Sequence, residues 1–97
     1  MGRLESAIQT AIIGYLRGQG AYVYNAPGSA SSAKGTPDIL ACVKGRFVAL
    51  EIKKPDDSYG ETKPQAIRAR QVRKAQGIAA VVTSIDDVAA LLRSMEG

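Results

Sequence analysis

The sequence predicts an α/β (α+β) domain of order αβββαβα, a mixed sheet flanked by helices that takes up residues 1–97 as one unit. Three observations lead there. Apolar residues recur at helical spacing near both ends of the chain, strand-length apolar runs lie between them, and a chain this short supports one core rather than two.

The first element carries Leu4, Ala7, Ile8, Ala11, Ile12 and Tyr15 on one stripe, which predicts an amphipathic helix ending near Gly18 or Gly20. Ala21 to Asn25, with Tyr22, Val23 and Tyr24, reads as a short strand. Ala26 to Thr36 is rich in Gly, Ser, Ala and Pro and reads as a mobile loop. Asp38 to Val43 and Arg46 to Lys53 are apolar runs separated by Lys44-Gly45, the spacing of a tight β-hairpin. After a polar loop from Pro55 to Glu61, Thr62 with Gln65 opens a second helix at capping-box spacing, and Gly77 closes it. Its apolar stripe is thin, so this helix is expected to be the more exposed. Ala79 to Thr83 forms a last strand, and Ser84 with Asp87 caps a last helix bearing Val88, Leu91, Leu92 and Met95.

Composition narrows the chemistry. With 45% hydrophobic and 23% charged residues, the chain is that of a folded globular protein. No apolar run reaches the roughly 18 residues needed to span a bilayer and no signal pattern opens the chain, so a cytoplasmic protein without a membrane partner is expected. The single cysteine, Cys42, excludes an internal disulfide and is expected to be a buried packing residue. The absence of histidine removes His-dependent zinc and Ser-His-Asp chemistry. Any catalysis must then run on carboxylates, lysine and a hard cation.

The net charge is +4, and nine of the thirteen basic residues fall between Lys44 and Lys74, among only four acids. That distribution suits a phosphate-bearing partner. Arg70, Arg73 and Lys74 share one side of the second helix, as a phosphate-tracking stripe or as a solvated face. Lys54 adds to the cluster, and Lys34 lies in the loop before Asp38, as a grip on such a partner or as plain surface. The tyrosines look scattered, with no aromatic stacking platform, so single-strand binding by base stacking is not expected, and Tyr59 is the one tyrosine near the candidate site.

With Lys44 and Gly45 as turn residues, the hairpin register sets Asp38 opposite Glu51. Opposed residues have Cβ atoms about 4.5–5.5 Å apart, close enough for both carboxylates to bind one cation. Alternation points Lys53 to the side of Glu51, while Ile39, Ala41, Val43, Val48, Leu50 and Ile52 form an apolar opposite face. Two like charges side by side need compensation, which a cation with oxygen ligands, Mg²⁺ or Mn²⁺, supplies. Glu5, in the first turns of the leading helix, is a further candidate acid, or simply an acid favourably placed at a helix N-terminus.

Gly35-Thr36-Pro37-Asp38, followed 13 residues later by Glu51-Ile52-Lys53 and then by Gln65 at the start of a helix, resembles the PD-(D/E)xK nuclease superfamily and within it the standalone VRR-NUC branch. The resemblance covers nearly the whole chain. It implies a restriction-endonuclease-like core and a Mg²⁺- or Mn²⁺-dependent DNA endonuclease. It further implies metal ligation by Glu5, Asp38, Glu51 and the Ile52 carbonyl, Lys53 as catalytic lysine, and Gln65 as a polar group facing the site. Gln65 thus has two readings, the catalytic one and the capping box. Standalone members of the branch resemble dimeric, Holliday-junction-resolvase-like enzymes of phages and bacteria, which implies branched or duplex DNA and a second copy as partners. Arg70 and Gln71 stand where the family pattern has an aromatic residue. The alternative function is a non-catalytic DNA-binding module, or a subunit of a larger nuclease complex.

Overall fold

The computed structural model describes residues 3–25, 37–55 and 62–96. The elements are α1 (Arg3–Gly18), β1 (Tyr22–Asn25), β2 (Ile39–Val43), β3 (Arg46–Ile52), α2 (Lys63–Lys74), β4 (Ile78–Val82) and α3 (Ile85–Ser94), the expected order. The predicted loops at 26–36, with Lys34, and at 56–61, with Tyr59, lie outside the described residues.

The strands form one mixed sheet in the order β1-β2-β3-β4, antiparallel across the first two pairings and parallel across the last. The Lys44-Gly45 turn closes the β2–β3 hairpin with both residues at positive φ (50° and 82°). That is the conformation whose twist matches the strands it joins. Val43 faces Arg46 and Ile39 faces Leu50, the register expected from the turn. The parallel β3–β4 pair needs a crossover, and α2 supplies it.

Period-two alternation gives the sheet two unlike faces. Val23, Ile39, Ala41, Val43, Val48, Leu50 and Ile52 are buried on one, packed with Ile12 and Leu16 of α1, Val82 of β4 and Val88 of α3. Each large aliphatic buried here contributes about 1.5–3 kcal/mol. Of the expected α1 stripe, Ile12 is buried and Ile8 and Tyr15 are half-buried, while Ala7 and Ala11 are exposed and the buried face continues to Leu16. The other face is covered only in part. Beneath α2, Ala49, Glu51 and Ala79 lie near Gln65 and Ala69. As expected of the thin stripe, Ala69 is the one buried residue of α2 among those described.

Two details depart from expectation. α2 ends in a Schellman motif, with Gly77 N donating to Val72 O and Gln76 N to Arg73 O, so Gln76 (φ 71°) rather than Gly77 takes the left-handed position. Gly77 is small for another reason, because a Cβ there would meet Val72 Cγ1 at 2.9 Å and the Phe47 carbonyl at 3.2 Å. Cys42, expected to be buried, is exposed. It lies on the α2 side of the sheet, beyond the part that α2 covers.

Candidate active site

The site is a notch in the sheet. Pairing between β2 and β3 stops at Ile39 and Leu50, whereas pairing between β3 and β4 runs on through Glu51–Val81 and Ile52–Val82. Glu51 and Ile52 are therefore flanked by a strand on one side only.

Proline accounts for the stop. In a two-residue hairpin the hydrogen-bonded pairs alternate outwards from the turn, so after Val43–Arg46, Ala41–Val48 and Ile39–Leu50 the next such pair is Pro37 with Ile52. Proline has no N–H to offer the Ile52 carbonyl. The Ile52 amide is met instead by a side chain, donating to Asp38 Oδ2 at 2.8 Å. A residue's N–H and C=O point to the same flank of a strand, so the Ile52 carbonyl emerges on the flank that Asp38 occupies. Asp38 itself lies just before β2, at the non-hydrogen-bonded position opposite Glu51, where side chains approach most closely.

Glu51 is 9% exposed, the one buried charged residue among the described residues. Its Oε1 accepts a hydrogen bond of 2.6 Å from Gln65 Nε2. The same amide turns its Oε1 back to accept from Thr62 N at 2.9 Å, while Gln65 N donates to Thr62 Oγ1 at 3.3 Å. The capping box and the site-facing role are the two ends of one side chain. The surrounding residues Ala49, Ala69, Ala79 and Ala80 are small and leave room for the Glu51–Gln65 pair.

Lys53 follows β3, half-buried, with its amide donating to Val82 O at 3.0 Å. Alternation sets its side chain on the Glu51 side. Lys54, Arg70 and Lys74 are exposed. Arg73 is exposed too, but its guanidinium donates to Ala79 O at 2.8 Å and is partly committed to the fold. Glu5 lies in the first turns of α1, and its side chain is outside the described set. Among the described residues no group of three or more His, Cys, Asp or Glu is positioned to hold a metal. The donors brought together here are two carboxylates and a main-chain carbonyl. An all-oxygen set of this kind fits a hard cation such as Mg²⁺ or Mn²⁺.

Sequence reasoning missed one cluster. Tyr22, Cys42 and Phe47 form one cross-strand row and Tyr24 and Leu40 the next, so two of the tyrosines stand together beside Phe47. The signal was the alternation of Tyr22 and Tyr24 about the inward Val23.

A mixed sheet whose central hairpin joins an aspartate to an ExK motif, with helices on both faces, defines the restriction-endonuclease-like nuclease fold expected from the motif. Two solved structures share it. One named "VRR_NUC domain" superposes with a TM-score of 0.76 at 22% identity, over 95% of this chain and 97% of its own. Another, named "VRR_NUC domain protein", gives 0.74 at 24% identity, over 97% and 88%. No curated protein matches the chain. The model of the archaeal Holliday junction resolvase (Hjc) family matches residues 4–90. The chain belongs to that family and is a nuclease acting on DNA.

Proposed function

We propose that the chain is a metal-dependent endonuclease that hydrolyses phosphodiester bonds in branched DNA, Holliday junctions foremost, and that it works in the cytoplasm as a homodimer. The observation carrying this reading is the notch at the end of β3, where Asp38 Oδ2 accepts from the Ile52 amide at 2.8 Å, next along the strand to buried Glu51. The preference for branched DNA rests on the family's description.

Asp38, Glu51 and the Ile52 carbonyl, with Glu5 from α1, would hold the cation. When bound, Mg²⁺ or Mn²⁺ supplies Lewis acidity to a water and to the phosphate oxygens. Lys53 adds a cation that offsets charge developing on the phosphate as water attacks phosphorus and the sugar oxygen leaves. Gln65 fixes the Glu51 rotamer. Lys34, Lys54, Arg70, Arg73 and Lys74 bind the phosphate backbone, a sequence-independent contact that suits recognition by shape. Two copies provide two sites for opposed strands.

The test is cleavage of an end-labelled four-way junction beside a linear duplex of matched sequence, with Mg²⁺, Mn²⁺ or EDTA, by the wild type and Asp38→Asn. The asparagine oxygen still accepts from the Ile52 amide, so the fold is retained while one anionic ligand is lost. Metal-dependent cutting that favours the junction and vanishes in the variant is the expected result. Binding without cutting under every metal would leave a non-catalytic DNA-binding module.

A further inference from the structure

α2 presents cations on its outer surface. Residues 63–74 hold five basic residues and no acid. That choice does not serve the helix. Lys63 occupies the first turn, where the macrodipole disfavours a cation, and Arg70 and Lys74 are like charges at i, i+4 spacing. No ion pair among the described residues takes up Lys63, Arg70 or Lys74. At about 100° per residue these three fall, together with Ile67, within about 60° of one another, on the side of α2 turned away from Gln65 and Ala69. Lys63, Ile67, Arg70 and Lys74 thus make one exposed ridge roughly 16 Å long, in which Ile67 stands 50% exposed.

A lone exposed isoleucine is ordinary on a protein surface, but its setting here is not. Ile67 takes no part in the core, and isoleucine is a poorer helix former than the lysines and arginines around it. A nucleic acid meets a ridge of cations through its phosphates, against which an aliphatic side chain gains nothing. What an aliphatic side chain does fit is the face of a base. In a continuous duplex each base face is covered by the next pair, whereas at a branch the last pair of an arm lies open.

We propose that Ile67 distinguishes branched from continuous DNA: Lys63, Arg70 and Lys74 hold phosphates, and Ile67 packs on the base pair that ends an arm. The proposal rests on the branched-DNA reading above and names the residue that carries the preference. Ile67 touches no reacting atom. The ridge nevertheless starts at the site, because Gln65 pins α2 to Glu51. One helix diameter, roughly 10–12 Å, separates the ridge from the notch, so a phosphate in the notch and a base at Ile67 are about three base-pair steps apart.

The experiment is equilibrium binding to a four-way junction and to a linear duplex of matched sequence, by fluorescence anisotropy in EDTA so that neither is cut. It uses the wild type, Ile67→Ala and Arg70→Ala, and a 2-aminopurine at the branch point reports base stacking in parallel. The wild type is expected to bind the junction more tightly and to change the 2-aminopurine signal. Ile67→Ala is expected to bind the junction about fivefold more weakly, the loss of part of one isoleucine's burial, to leave duplex binding nearly unchanged and to abolish the signal change. Arg70→Ala is expected to weaken both DNAs alike. Alanine is the better helix former, so Ile67→Ala is expected to fold with an undiminished Tm. An equal loss on both DNAs would make Ile67 a prop for the stems of Lys63 and Arg70, and an altered sedimentation coefficient of Ile67→Ala would place it between copies of the chain; either overturns the proposal. So does a 2-aminopurine signal that the substitution leaves in place. If the wild type binds both DNAs alike, the branched-DNA reading falls and the proposal with it. If the wild type prefers the junction and Ile67→Ala prefers it equally, the proposal alone falls.

Discussion

Gln65 holds two parts of the molecule with one amide, and the two can be separated by substitution. Its Oε1 closes the capping box on Thr62 N, and its Nε2 holds Glu51 Oε1 at 2.6 Å. Thr62→Ala removes the cap and leaves the Glu51 contact, at a cost of about 1 kcal/mol. For a chain of this size that is a fall of roughly 4–8 °C in Tm. Gln65→Glu keeps an acceptor for Thr62 N, and an acid in the first turn of a helix is itself favourable. It sets a second carboxylate against Glu51 where a donor stood, so the Glu51 rotamer is lost. A hydrogen bond to a charged group contributes about 1.5–3 kcal/mol, and if half or more of it acts through Glu51 placement, cleavage falls by roughly 4–150-fold. The assay pairs thermal unfolding with single-turnover cleavage of a four-way junction. Thr62→Ala is expected to move Tm and spare the rate, and Gln65→Glu to lower the rate more than Tm. If the two variants change the rate equally, or Gln65→Glu cleaves at the wild-type rate, Gln65 is a helix cap and nothing more.

Gly77→Ala is expected to destabilise the fold by about 1–3 kcal/mol through overpacking against Val72 and the Phe47 carbonyl, read by chemical denaturation. A cost under about 0.5 kcal/mol would show that the α2–β4 junction yields to admit the methyl group. Arg70→Ala with Lys74→Ala is expected to leave stability unchanged and to reduce the slope of log binding constant against log salt by about 2, near one per phosphate contact. An unchanged slope would make the stripe a solvated face. Arg73→Ala, by contrast, is expected to cost stability as well, because its guanidinium is bonded to Ala79 O.

The hairpin and its register were legible because a two-residue turn leaves no freedom. Once Lys44 and Gly45 are the turn, every opposed pair out to Ile39–Leu50 follows, and the next position along sets Asp38 opposite Glu51. Helix starts were legible for a similar reason, since Thr62 and Ser84 present oxygens to main-chain donors three residues on. Coverage was not legible. Alternation says that Tyr22, Tyr24 and Cys42 share a side, but not that α2 stops short of β1 and β2, so Cys42 was expected to be buried and is exposed. Gly77 was misassigned because two demands for a small or flexible residue fall on neighbouring positions. The left-handed turn is taken by Gln76, and the glycine goes to the closer steric contact.

The proline before Asp38 gives the motif a physical reading that register alone does not. A β2 strand continued by one more hydrogen-bonded pair would present an N–H to the Ile52 carbonyl and a carbonyl to the Ile52 amide, closing the ladder over both. Proline cannot supply the first, and Asp38 supplies the second from its side chain, one oxygen of the carboxylate being spent in doing so. The result is a strand end at which a carboxylate is held by the main chain beside a carbonyl deprived of its ladder donor. Glu51 stands on the adjacent residue, held in turn from α2. The two carboxylates of the hairpin are thus each fixed by an element other than their own: Asp38 by β3, and Glu51 by the capping box of α2. A site assembled in this way depends on the β2–β3 register and on the docking of α2 together. Its geometry therefore forms only when the sheet and the crossover helix have both folded.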